Sequence, residues 1–455
     1  MKKYRLFNLV LVVALLAGLL LPFQSMALEP PEFHGKNAIL VDANYNEVLY
    51  EVGGHDKVYP ASITKVMTAL LTLEAIDSGK LTAQTQVTAS ATATTVPEGS
   101  STANPKIQAG EVLTVEQLLY CLLLPSANEA AQILAETVGG DIDTFVGMMN
   151  DKAKELGCEN THFANPHGFH DPDHYTTPYD ITLFMKAAME YDLFQKIVTS
   201  PNYTIPATNL NGERTVRNTN ALTSNWTYTG YLYGPGTGGK TGSTDEAGKC
   251  LVETAKDGDT YLISVVMGEP ETITLADGTE KVAQFYDTIQ LLEWGFENFH
   301  RTVISEDSEV VAKVNVTLST QTDQVMVRPS GSIARTLPKD VDVDQMEKVI
   351  NLFSDTVEAP VEQGELLGTM RLLYQGEEYG TLDLVADSSV ERSELLYRLD
   401  RIQKFFQNWW VKLLLVILVV AVAALLLRVF VFRKRRRYSG VGASRRGRYS
   451  GRRRK

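Results

Sequence analysis

The chain has 455 residues, 44% of them hydrophobic, and a formal net charge of −12. The charge is unevenly spread: residues 1–27 hold three Lys/Arg and no acid, residues 409–455 hold fourteen Lys/Arg and no acid, and the body, 28–408, carries 26 basic against 55 acidic residues. An acidic body of this size argues against nucleic acid as a partner and points to an exported chain tethered at its end.

From the N-terminus, Lys2, Lys3 and Arg5 precede the apolar run Leu6 to Leu21, and Ser25-Met26-Ala27 places small residues at a cleavage site. This is the pattern of a secretory signal peptide, 1–27, cut after Ala27. Leu28 to Lys36 is Pro-rich and extended. Asn37 to Val41 and Glu47 to Val52 are apolar runs on either side of polar turn residues, which predicts a β-hairpin. In Pro60 to Leu71 the apolar residues Ile63, Val66, Met67, Leu70 and Leu71 recur at helical spacing, so a helix with one buried face is expected there, ending near Gly79. Strands and loops are expected over 84–112. A helix follows with Val115, Leu118, Leu119, Leu122 and Leu123 inward, stopped by Pro125. Helices are expected from Asn128 to Val138, from Asp141 to Leu156 and from Asp180 to Val198, with a loop over Thr161 to Pro178. Lys240 to Glu269 reads as a strand meander in which Lys240 opens the first strand, and Val282 to Phe299 as a closing helix.

Composition shifts near Arg301. Short β-rich runs (Val310 to Val316, Gln324 to Val327, Leu366 to Tyr374, Tyr379 to Ala386) predict a small, mostly β domain over 301–390, and 391–408 a helical linker. Trp409 to Phe432 is long and apolar enough to span a bilayer, with tryptophans at one boundary and Lys412 and Arg428 able to snorkel. The twelve Lys/Arg of 433–455 make that tail cytoplasmic by the positive-inside rule and leave 28–408 outside. Cys121, Cys158 and Cys250 are an odd number; Cys121 and Cys250 lie in apolar runs, so they read as small hydrophobes and not as bridge partners. No Cys/His cluster has metal-ligand spacing, and no cofactor or metal is expected.

Three short motifs carry chemistry. Ser62-Ile63-Thr64-Lys65 puts a hydroxyl and an amine three residues apart on one helical face, where the amine, if burial lowers its pKa, can take the serine proton. Ser126-Ala127-Asn128 lies between two helices. Its serine can relay a proton to a leaving amine, and its asparagine can bond Lys65 or a substrate amide. Lys240-Thr241-Gly242 can bind a terminal carboxylate through Lys240 and Thr241, while Gly242 lets a substrate backbone approach the strand. Backbone N–H groups of Ser62 and Ser243 are the candidate oxyanion donors. Each motif alone is weak. Together, in this order, each on the element its role requires, they match the set found in serine penicillin-recognising enzymes.

On these residues the chain resembles the low-molecular-mass penicillin-binding proteins of the serine D-alanyl-D-alanine carboxypeptidase family. The likeness extends to Thr161 to Gly168, Leu291 to Phe296, Ala359-Pro360-Val361 and Gly364 to Gly368, and covers about 33–390. It implies an α/β plus all-α penicillin-binding (DD-peptidase/β-lactamase-like) domain over 28–300, then the β-rich domain. The implied reaction removes the terminal D-alanine of peptidoglycan pentapeptide stems, with β-lactams as inhibitors and attachment to the outer face of the cytoplasmic membrane. Two features depart from the family. Gln284 stands before Phe285 where an arginine usually helps hold the substrate carboxylate, leaving Lys240, Thr241 or Lys281 to do so. The anchor reads as a true span, where the family has an amphipathic helix lying on the membrane. A class A β-lactamase would share the motifs, but residues 155–180 hold no Glu-x-x-x-Asn to activate a deacylating water. A silent wall-binding protein would not need Ser62, Lys65 and Lys240 intact.

Overall fold

The computed structural model describes residues 29–438. The expected signal peptide and the tail beyond Tyr438 lie outside them. The described chain forms two compact units: residues up to Thr302 together with Ala334–Val341, and Val303–Ile333 together with the chain from Asp342 onward.

The first unit opens with β1 (Asn37–Asp42) and β2 (Glu47–Val52). A 3-10 turn, Ala61–Thr64, then leads into α1 (Lys65–Asp77). The strands β3 (Gln86–Thr88) and β4 (Val112–Thr114) pair with each other. Then come α2 (Val115–Leu123), α3 (Asn128–Gly139), α4 (Ile142–Glu155), α5 (Pro178–Met189) and α6 (Asp192–Val198). A small hairpin, β5 (Asn202–Ile205) and β6 (Arg214–Arg217), precedes the meander β7 (Gly236–Thr244), β8 (Gly248–Asp257) and β9 (Thr260–Glu269), and α7 (Ala283–Asn298) closes the unit.

Local chemistry sets these boundaries. Thr114 and Gln117 form a reciprocal capping box at the start of α2. Asp141 caps α4, and Thr177 caps α5 with Pro178 in its first turn.

The main sheet is antiparallel throughout, in the order β2-β1-β9-β8-β7. Both its faces are buried, and the period of two sorts the side chains. Ile39, Val41, Val252, Ile263 and Val265 join the core under α1 to α6. Ala38, Leu40, Leu251, Leu262 and Val266 join a second core under α7, with Phe285, Leu291 and Leu292. The N-terminal strand β1 thus pairs with β9 far along the chain, and β7 is left as a free edge.

Four expectations change. Ser62 sits on a 3-10 turn and not inside the helix, which starts at Lys65. The helix α1 is buried nearly all round and not on one face, because Thr68 and Thr72 spend their hydroxyls on the Pro166 and Thr68 carbonyls and can face protein. Asp180 to Val198 is two helices, broken at Glu190-Tyr191 with no glycine or proline to mark the break. Lys240 lies mid-strand, since β7 begins four residues earlier, at Gly236.

The second unit holds a six-stranded sheet in the order Glu347–Leu352, Leu366–Tyr374, Glu377–Ala386, Gln324–Pro329, Ala312–Thr317, Thr356–Glu358. Its last pair is parallel, and the others are antiparallel. Ser393 caps α8 (Glu394–Gln407), and α9 (Trp409–Tyr438) follows. The 22 residues Trp409–Phe430 are long and apolar enough to cross a membrane.

Candidate active site

Lys65 and Lys240 are among the largest side chains buried in the molecule. Lys65 Nζ lies 2.9 Å from Ser62 Oγ and donates to the His167 carbonyl at 2.7 Å. Burial, and then the charge of Lys240, hold Lys65 well below the ordinary lysine value, while Glu129 pulls the other way. A neutral amine with one N–H given to His167 keeps its lone pair for the Ser62 proton. Ser62 itself is only half-buried, so its hydroxyl is open to a substrate.

The backbone before Ser62 is strained. Ala61 adopts φ 46°, a region that L side chains rarely occupy. Thr64 Oγ1 donates to the Ala61 carbonyl at 2.8 Å and lies 2.7 Å from His174 Nε2. His174 Nδ1 accepts from Ala164 N–H, so Nε2 carries the proton and the relay runs His174 to Thr64 to Ala61.

The 161–178 loop is thereby locked onto the turn. Its tip is shaped by Asn165, whose Oδ1 accepts from Gly168 N–H (2.7 Å) and His167 N–H (3.3 Å), turning the Pro166 and His167 carbonyls toward Thr68 and Lys65. Gly168 is required there: its φ is 82°, and a Cβ would stand 1.8 Å from the Ala61 carbonyl oxygen. Burial pushes His167 down to about 3 and His174 to about 4, so both rings stay neutral. Phe169 N–H donates to His167 Nδ1. Gln132, with its amide turned to donate to the Ala93 and Thr95 carbonyls, offers its oxygen to His167 Nε2.

The edge strand β7 forms the opposite wall. A Cβ at Gly242 would come 3.1 Å from the Pro60 carbonyl oxygen and 3.3 Å from Ser62 N. The Lys-Thr-Gly strand therefore touches the nucleophile turn directly. Lys240 Nζ donates to the Thr241 carbonyl at 2.8 Å, and burial brings Lys240 down to about 7. Ser243, next along the strand, is exposed. Under β7, Glu253 accepts from Gly238 N–H (3.1 Å) and Asn220 Nδ2 (2.6 Å), and burial raises it to about 8.

Ser126 has φ 66°, and its buried Oγ has no partner. Asn128 N–H donates to the Ser101 carbonyl, and Glu129 accepts from Ala103 N–H at 2.9 Å, so the start of α3 is tied to the 101–107 loop. Lys65 does not bond Asn128. Of the alternatives expected for Asn128, a bond to Lys65 or to the substrate amide, the first is not formed in the free protein, where Lys65 Nζ bonds Ser62 and the His167 carbonyl. Ser62, Lys65, Lys240 and Gly242 thus meet directly. Ser126, in the turn before α3, and Asn128, its first residue, make no hydrogen bond to Ser62 or Lys65 among the described residues.

Sequence reasoning missed the His167 carbonyl, Thr64–His174 and Glu129. The Asn-Pro-His-Gly turn signal marked the loop, but nothing local said what its carbonyls would meet. At Gln284, the departure noted in the sequence, the side chain is buried with Oε1 unpartnered, and Lys281 lies 5.9 Å from the centre of the Tyr231 ring.

The chain is similar to known proteins over most of its length. The family model for D-alanyl-D-alanine carboxypeptidase (peptidase S11) matches residues 24–271, and that for the penicillin-binding protein 5 C-terminal domain matches 299–392. The D-alanyl-D-alanine carboxypeptidase DacF of Bacillus subtilis is 31% identical over 80% of this chain and 88% of its own. DacC of Escherichia coli is 28% identical over 84% and 90%. The crystal structure of penicillin-binding protein 5 from Haemophilus influenzae superposes with a TM-score of 0.63 at 26% identity, covering 80% of this chain and 99% of that one.

Proposed function

Since this chain belongs to the D-alanyl-D-alanine carboxypeptidase family of serine peptidases, we propose that it removes the terminal D-alanine from peptidoglycan pentapeptide stems through an acyl-enzyme on Ser62. The observation that carries this reading is the fully buried Lys65 amine 2.9 Å from Ser62 Oγ.

Ser62 Oγ attacks the carbonyl carbon of the penultimate D-alanine as its proton passes to Lys65 Nζ. The Ser62 and Ser243 N–H groups hold the oxyanion. The C–N bond then breaks, and Ser126, whose hydroxyl has no partner in the free protein, passes the Lys65 proton to the departing amine. Water next attacks the ester, giving its proton to Lys65, and the stem leaves as the shortened acid while Ser62 recovers its proton. Asn128 binds the substrate amide. Lys240 and Thr241 bind the terminal carboxylate, and Gly242 leaves room for the substrate along β7. A β-lactam offers the same attack a cyclic amide next to a carboxylate, so it acylates Ser62 as well.

The apolar helix segment Trp409–Phe430 supports anchorage in the cytoplasmic membrane. In this reading 1–27 is a cleaved export signal, the body 28–408 faces outward and the basic tail faces the cytoplasm. The division into 28–300, 301–390 and 391–408 is then catalytic domain, stalk and linker.

The test incubates the full chain in detergent with a pentapeptide stem and follows products by mass. Released D-alanine with no cross-linked dimer is expected. Cross-linked product in comparable yield would make the chain a transpeptidase, and no change in the stem would refute the activity.

A further inference from the structure

The first turn of α3 carries an acid that none of the three motifs contains. Glu129 follows Asn128 directly and is completely buried. Its Oε1 accepts from Ala103 N–H at 2.9 Å and from Ile107 N–H at 3.4 Å, while its Oε2 has no partner among the described residues. A buried carboxylate oxygen left bare costs stability, so its place calls for a reason beyond folding. Burial raises this carboxyl, and the N–H groups of Glu129 itself, Ala103 and Ile107, with the charge of Lys106, act to keep it ionised.

The groups around Glu129 leave one buried cation for it to meet. Lys106 is exposed, and Arg214 is held in its ion pair with Glu111. Cys121, on α2, is a buried thiol pushed up to about 12 and stays neutral. Lys65 opens α1, which packs on α3. Around its amine stand the Ser62 hydroxyl, the His167 and His174 rings, both neutral, the like charge of Lys240, and Glu129. Of these groups only Glu129 is an acid.

We propose that Glu129 is a positioning residue for the proton transfer: its buried carboxylate is the counter-charge for the ammonium ion that Lys65 becomes as Ser62 attacks. In that step the Ser62 Oγ–carbon bond forms, the carbonyl π electrons move to the oxygen, and the Ser62 proton passes to Lys65 Nζ. The oxyanion has its backbone N–H groups. The new cation arises in a buried place beside Lys240, where water cannot screen it, and a fixed negative charge lowers its cost without any rearrangement. Glu129 touches neither Ser62 nor the substrate in this account and acts through Lys65. This inference rests on the functional reading above.

The test follows acylation of the full-length protein by benzylpenicillin from about pH 5 to about pH 9, with Glu129→Gln and Glu129→Asp beside the wild type. Glutamine keeps a carbonyl oxygen for the Ala103 and Ile107 N–H groups and carries no charge. At the alkaline end its rate should be lower by roughly tenfold or more, the effect of removing an opposite charge from a buried amine. Toward acid pH the wild-type carboxylate gains a proton and becomes as neutral as the glutamine amide, so the two rates should converge. Aspartate, whose charge sits one carbon farther back, should show a smaller gap with the same convergence. It carries the test alone if thermal unfolding shows that the glutamine variant does not fold. A gap that stays constant with pH would make Glu129 a tie for the 103–107 segment and nothing more, and no gap at any pH would remove it from the reaction; either overturns the inference while leaving the activity standing. If the wild type is not acylated at Ser62 at any pH, the functional reading fails and the inference with it.

Discussion

Lys65 sits where an ammonium ion is poorly tolerated: buried, near a second lysine, and bonded to one carbonyl. A lysine whose folded-state pKa is lowered is a base above that value and a spectator below it, so acylation should fall as pH drops through it. Lys240 acts in the opposite sense. It loses its proton above about 7, so KM for a free C-terminal acid should rise on the alkaline side. A kcat/KM profile flat from about pH 5 to about pH 9 would contradict both roles. Lys65→Arg should lower acylation about a thousandfold, because a guanidinium cannot give up its proton and general-base catalysis is lost; near-native acylation would remove Lys65 as the base. At this scale the sequence was informative wherever chemistry is local. The three-residue spacing of Ser62 and Lys65 was enough to foresee their contact. It was silent on the His167 carbonyl, which bonds Lys65 from 102 positions away and carries no motif of its own.

The edge strand β7 is held from beneath by Glu253, which ties Gly238 and Asn220 to β8. Its carboxyl is raised by burial from 4.5 to about 8. A raised carboxyl stabilises the fold fully below its unfolded value, and that stability is lost as pH rises from about 4.5 through about 8. Glu253→Gln keeps a carbonyl acceptor and cannot ionise. Its stability relative to the wild type should therefore climb by up to about 1.4 kcal/mol per pH unit across that window and level off above it. Thermal unfolding at several pH values measures this, and a constant difference would show that Glu253 does not carry the buried proton. Elements with a strong period, such as α2, the β1–β2 hairpin and the β8–β9 pair, were legible from hydrophobic spacing. The β5–β6 hairpin and the strand Glu347–Leu352 were not, because the hairpin strands are only four residues long and Glu347–Leu352 is largely exposed. The break between α5 and α6 escaped for another reason: packing sets it, with no breaker residue at Glu190-Tyr191.

At the scale of the whole chain, charge segregation and two apolar stretches gave the reading of export and anchorage, and the shift near Arg301 the presence of a second unit. That residues 334–341 return to the first unit was invisible, since contacts distant in sequence decide it. A labelled penicillin that cannot cross membranes should label right-side-out vesicles bearing the full chain and leave sealed inverted vesicles unlabelled until detergent is added. The reverse pattern would invert the proposed topology. The central claim is narrower: one serine, activated by one buried lysine, forms the covalent intermediate. It is tested most directly by acylating the full-length protein with benzylpenicillin, digesting it and mapping the adduct by mass spectrometry. The adduct is expected on the Ser62 peptide and absent in Ser62→Ala. An adduct on Ser126 or Ser243, or one that survives in Ser62→Ala, would contradict it.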